Sequence, residues 1–147
     1  MTTTEQDGEA VASAELYAAV QQFYARQMGA LDDGAVDAWA DTFTADALFE
    51  DAGVTESLRG REAIRDSVRA RVAGIQAEHR TFRHWFGMID VRPGADGSVR
   101  TRLYALAMST PTGGTLTVHG NVVCADHLVP AGGGWLVRRR SVRADGV

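Results

Sequence analysis

The chain contains no lysine; all fifteen of its basic residues are arginine. Schiff-base catalysis and pyridoxal attachment both need a lysine amine, so neither has a residue to carry it. Cysteine is almost as scarce. Cys124 stands alone and can neither close a disulfide within the chain nor build a multi-cysteine zinc or iron–sulfur site. No apolar run approaches the roughly 20 residues that span a bilayer. The opening MTTTEQDGEA is polar and has no apolar centre of the signal-peptide type. It reads as a disordered tail over residues 1–9 ahead of one domain at 10–147, with a cytoplasmic location expected.

Motifs for nucleotides, metals and hydrolytic nucleophiles are missing as well. The glycine clusters fall between expected strands and none precedes a helix, which excludes a Walker loop and a dinucleotide fingerprint. There is no G-x-S-x-G. His79, His84, His119 and His127 show neither H-x-x-x-H nor H-E-x-x-H spacing. No cofactor and no metal are therefore expected. A net charge of −4 argues against nucleic acid as a partner, and strand alternation would split the basic run VRRRSVR between two faces.

What is present is a 147-residue chain, 45% hydrophobic, with enough aromatic material for a single core. Apolar residues recur at helical spacing from Glu9 to Leu31, and Asp32-Asp33-Gly34 ends that pattern. Val36 to Phe43 predicts a short helix carrying Trp39 and Phe43 at i, i+4. TADALFEDAG predicts a short strand, and Gly60 opens a third helix, REAIRDSVRARVAGI. Turn signals then delimit strands near 82–92, 98–109, 115–129 and 134–143. Helices followed by such a meander predict an α+β domain in which three helices pack on a curved, mainly antiparallel sheet.

Two ionisable residues stand out. In HRTFRHWFGMIDV, strict alternation puts His84, Phe86 and Met88 on one face and Arg83, Trp85, Gly87 and Ile89 on the other. A histidine there is either packed and satisfied or an acid–base group facing a pocket. Asp32, at the end of the first helix, could reach it and fix its tautomer. In VHGNVVCADHLV, Asp126 shares a face with Val118, Gly120, Val122, Cys124 and Leu128. A carboxylate so placed is either an acid of raised pKa or the partner of an arginine such as Arg138 or Arg140.

The stretches FYARQMGALDDGAVDAWADTFTADALFED, RTFRHWFGMIDV and GGGWLVRRRSV resemble the SnoaL-like branch of the nuclear transport factor 2-like superfamily, from about Leu16 to Val142. Scytalone dehydratase and the small subunits of aromatic-ring-hydroxylating dioxygenases belong to that group. The resemblance implies a cone of curved sheet and helices around a pocket. It puts the dehydratase's catalytic histidine at His84, its supporting aspartate at Asp32 and its pocket asparagine at Asp126. The second catalytic histidine falls near Ser109, and the two water-holding tyrosines fall near Leu31 and Asp51, which argues against scytalone as substrate.

The resulting expectation is a cofactor-independent lyase, isomerase or cyclase acting on a hydrophobic oxygenated small molecule, a polyketide or terpenoid. His84, Asp32 and Asp126 would be catalytic. Trp39, Phe43, Phe49, Phe86, Met88, Tyr104, Ser109, Val122 and Cys124 would line the pocket. The rival readings are a non-catalytic ligand-binding protein like the dioxygenase small subunits, and an epoxide-opening cyclase or hydrolase using Asp126. A homodimer or homotrimer packed through the outer sheet face, which carries Trp85 and Val123, is also expected, with no membrane partner.

Overall fold

The computed structural model describes residues 11–53 and 56–147. The expected tail at 1–9 lies outside the described residues, and so does the expected helix start at Glu9. Helix α1 runs Ala14–Asp32. Ser13 caps it by accepting the Leu16 N–H at 3.1 Å, satisfying a donor that would otherwise be orphaned, and so fixes the start. Val20, Tyr24, Gln27 and Met28 form its buried stripe.

Helix α2, Val36–Ala40, stops three residues short of the expected Phe43. The Thr42 hydroxyl turns back to the Trp39 carbonyl, and Phe43 opens strand β1 (Phe43–Asp51) by pairing with Val137. The Trp39–Phe43 contact nevertheless persists, with ring centroids 4.8 Å apart. A two-residue strand β2 (Leu58–Arg59), not foreseen, leads into α3 (Arg61–Ala77).

Strands β3 (Arg80–Pro93), β4 (Val99–Pro111), β5 (Thr117–Ala131) and β6 (Gly134–Ala144) form the antiparallel meander. The six-stranded sheet has the order β2-β1-β6-β5-β4-β3, with β1 parallel to β6. The helices pack on one face of this curled sheet, giving the α+β cone. Val20, Trp39, Phe43, Ile64, Leu103, Cys124, Leu128 and Val137 form the buried core between the layers. The other face carries exposed Trp85 and Tyr104.

Bulges change which way three strands present their side chains. On β3 the register with β4 breaks between Gly87 and Asp90, and Met88 adopts φ 52°. This extra residue ends the alternation that starts at His84. Met88 is 78% exposed while Ile89 and Val91 turn inward, which removes Met88 from the expected pocket wall. On β5 the pairing steps from Ala107↔Gly120 to Met108↔Val118, leaving His119 as the extra residue. On β6 a third break, opposite His127/Leu128, leaves Arg138 exposed and turns Arg140 into the core.

Candidate functional site

Asp32 is the last residue of α1, where the helix dipole disfavours a negative charge. Two donors from one residue offset this. The backbone N–H of His84 donates to Oδ2 at 2.9 Å, and ring Nδ1 lies 2.6 Å from Oδ1. Because β3 is an edge strand, the N–H at His84 is free for this use. A carboxylate only accepts, so Nδ1 carries the proton and Nε2 is the ring atom turned away from Asp32. The side chains are 7% and 19% exposed for Asp32 and His84, shielded enough for a strong pair yet open to small molecules.

Cavities open on both sides of this pair. One, of about 310 Å³, lies between α3 and the start of β3, with Val68, Arg71, Arg80 and Phe82 in its wall. The other, of about 380 Å³, lies against α1 and includes Tyr24, Met28 and Phe86. Asp32 and His84 line both.

A second polar group lies nearby. The Phe82 ring centroid is 5.0 Å from that of His84, and Phe82 stacks on His119 at 5.8 Å and 6°. His119 Nε2 is hydrogen-bonded to the Ser109 hydroxyl, whose oxygen also accepts from Arg80 Nε at 2.9 Å. Arg80 can only donate, so the Ser109 proton is available to His119 Nε2. Strict alternation assigns His119 to the outer face, and the bulge brings it to this cluster instead. Gly120 beside it was the available signal, since a glycine within a strand often marks a bulge. Phe82 shares the parity of His84 and was readable.

Asp126 takes the arginine-paired alternative. Arg140 grips it through Nε at 2.9 Å and Nη2 at 2.8 Å, and the Tyr24 hydroxyl donates to it at 2.8 Å. Its side chain has no solvent exposure. Arg140 also donates to Gln27 Oε1 at 2.7 Å, and Tyr24 is bonded to Thr101, so the network ties α1 to β4, β5 and β6. Burial raises the Tyr24 phenol well above its ordinary range, with Asp126 adding to the effect. Burial opposes the charge on Arg140, but Asp126 outweighs it and holds the guanidinium more firmly protonated than usual. With both oxygens occupied inside the core, Asp126 is a structural residue and not the complementary acid expected from sequence.

The expected wall is corrected further. Trp39, Phe43 and Cys124 are core residues, and burial followed by Asp126 pushes the Cys124 thiol up, leaving it inert. Tyr104 lies on the outer face, its ring under Arg102. Phe49 and Val122 pack half-buried against the core and line neither cavity. Phe86 does line one, and Ser109 meets His119. Leu31 borders the α3 cavity, whereas Asp51 is exposed and receives the Gly53 N–H. Among the described residues no cluster suited to a metal ion is found, and no helix is long and apolar enough to cross a membrane.

No curated protein matches the chain. Solved structures do. Aln2 from a Streptomyces species is 38% identical over 92% of this chain and 95% of its own, with a TM-score of 0.86. ActVI-ORFA from Streptomyces coelicolor is 28% identical over 92% and 98%, with a TM-score of 0.83. A protein from Catenulispora acidiphila, solved in complex with S-DNPA, is 38% identical over 90% and 96%, with a TM-score of 0.76. The family model of the SnoaL-like domain matches residues 12–141. With a β3 histidine clamped to the aspartate that ends its first helix, a curled sheet around the pair and that match over nearly its whole length, the chain belongs to the SnoaL-like family.

Proposed function

We propose that the protein is a cofactor-independent lyase, isomerase or cyclase that moves protons on a hydrophobic, oxygenated polyketide-type substrate. The observation that carries this reading is the double hydrogen bond from His84 to Asp32, which fixes the imidazole with Nε2 available to a ligand. Such an imidazole removes a proton from a hydroxyl or from carbon beside a carbonyl. With Nε2 accepting from Ser109, neutral His119 carries its proton on Nδ1, and in this reading that imidazole, stacked on Phe82, returns a proton to the departing or newly formed oxygen. Phe82 in the cavity beside α3, and Phe86 in the one beside α1, provide the apolar surface that a fused-ring substrate needs on either side of His84. Dehydration, double-bond migration and ring closure all use this pair of transfers.

Asp126 has no part in this chemistry, so an epoxide-opening reaction driven by that carboxylate loses its residue. S-DNPA, held by the Catenulispora relative, is the natural first probe. Incubation in deuterium oxide followed by mass spectrometry reports proton transfer without knowledge of the physiological substrate. Enzyme-dependent deuterium uptake is expected, falling about 10²–10⁴-fold in His84→Ala while the fold is retained. Unlabelled S-DNPA with the wild-type chain, or full labelling by His84→Ala, would transfer the lead to the non-catalytic ligand-binding reading. The same proposal includes a homodimer or homotrimer through the outer face bearing exposed Trp85 and Tyr104, checked by sedimentation of the wild type and Trp85→Ser.

A further inference from the structure

The cavity between α3 and β3 has an uneven balance of charge. Arg71 enters from α3, and Arg80 and Arg83 from β3, against the carboxylates of Asp32 and Asp33. Asp32 is occupied by His84. Asp33 sits at the surface, 78% exposed, and lies 4.0 Å from Arg83. Arg80 is half-buried; its Nε is held by Ser109, and its Nη1 lies 3.6 Å from the exposed Glu78. Among the described residues Arg71 has no ion-pair partner within 4.0 Å. Arg71 and Arg80 thus both line the cavity, and the acids around them are either committed elsewhere or open to water. Exposed pairs of that kind are weak competitors for a desolvated anion.

Alternation on β3 sets the distances. Arg80, Phe82 and His84 occupy successive inward positions, so the arginine and the histidine are about 13 Å apart along the strand, with a phenyl ring midway. We infer that this cavity selects a substrate with a carboxylate at one end of a fused-ring body. The acid is held by Arg71 and Arg80, the rings lie on Phe82, and the reacting carbon comes under His84. Guanidinium is suited to this because it meets a planar carboxylate with two parallel N–H donors. The anchor also gives direction: a substrate bound by its acid reaches His84 in one orientation. Arg80 also holds the hydroxyl that is bonded to His119, the imidazole stacked on Phe82 midway along the site. This inference rests on the acid–base reading for the role of His84 and deepens it by naming the substrate class.

The probes are 2-naphthoate and 2-naphthamide, which match in shape and differ in charge. Each is titrated into the whole chain by calorimetry, with backbone amide shifts of Phe82, Arg83 and His84 reporting location. The acid is expected to bind about tenfold more tightly than the amide and to shift those three resonances, consistent with the stronger hydrogen bonds of an ionised acceptor. Arg71→Gln, at an exposed helical position, should reduce the preference several-fold and leave amide affinity unchanged, and Arg80→Gln should reduce it further. Equal affinities would overturn the inference, as would a preference unaltered in both variants, shifts confined to other residues, or no binding of the acid at millimolar concentration. No turnover is involved, so the two readings fail separately. Selective naphthoate binding with unlabelled S-DNPA would overturn the acid–base role alone, and labelled S-DNPA without charge preference would overturn the carboxylate seat alone.

Discussion

Asp126 and Asp32 are both withdrawn from solvent, both are paired with a nitrogen base, and both connect α1 to the sheet, yet their surroundings give them opposite work. Asp126 meets a guanidinium in the core, with Tyr24 and Gln27 completing the network, and it lines neither of the cavities that flank His84. Both carboxylate oxygens are occupied by donors from Arg140 and Tyr24. Asp32 meets an imidazole at the rim, and the base it holds keeps one nitrogen turned toward cavities on either side. The partner and the depth, not the carboxylate, distinguish a structural pair from a chemical one.

The largest effect should come from breaking the sealed pair. Asp126→Ala leaves the Arg140 guanidinium buried without its counter-charge and should cost about 3–5 kcal/mol, read from urea denaturation. Replacing both partners with apolar residues, Asp126→Leu with Arg140→Met, should restore most of that loss, because neither charge is then stranded. A double variant as unstable as the single one would break the comparison, since it would mean that the pair contributes more than mutual neutralisation.

At the open site the expected changes appear in rate. His119→Ala should slow deuterium uptake by about 10²-fold, near the lower end for a lost acid or base, with an unfolding midpoint close to wild type because the ring is exposed. A normal rate in this variant would leave His84 as the sole proton-transfer group.

Smaller still is the response of the strained bulge beside the site. Met88 holds φ 52°, a conformation that side chains with a Cβ adopt at a cost of roughly 1–2 kcal/mol, and its side chain is largely in water. Met88→Gly should therefore be neutral or stabilising by about 1 kcal/mol. Clear destabilisation would show that the methionine makes a contact worth more than the strain.

The smallest effect is a pH control outside both pairs. Burial, then Arg100 and Arg138, lower the pKa of His127 from its ordinary value. The fold thus favours the neutral ring; its contribution is complete above the unfolded value of about 6.5 and is lost as pH falls through the folded value. The unfolding midpoint should decline from about pH 7.5 to about pH 5, less steeply in His127→Gln. An unchanged slope in the variant would assign the decline to other groups.

Much of this arrangement was legible from residue patterns because it depends on alternation and helix ends. The four long strands, the inward direction of His84 and Phe86, and the reach from Asp32 to His84 follow from parity and from where the α1 periodicity stops. The misassignments of Met88 and His119 share one cause. A bulge inserts one residue and reverses the parity beyond it, and strict alternation contains no term for that. Asp126 illustrates a different limit. Its environment was readable, but the choice between Arg138 and Arg140 depended on the break opposite His127/Leu128, which turned one arginine out and the other in. Trp39 and Phe43 were legible as apolar, but an apolar residue in a pocket wall and one in a core have the same sequence signature.

The most direct test sets Asp32→Asn beside Asp126→Asn, with deuterium uptake into S-DNPA per folded molecule and the unfolding midpoint measured on the same preparations. Asp32→Asn should slow uptake, by less than His84→Ala does, and leave the midpoint near wild type, because the amide disturbs the tautomer without removing the imidazole. Asp126→Asn should lower the midpoint clearly and leave uptake per folded molecule near wild type. The reverse outcome, with Asp126→Asn slow but stable and Asp32→Asn unstable but fully active, would contradict the assignment of chemistry to one carboxylate and structure to the other.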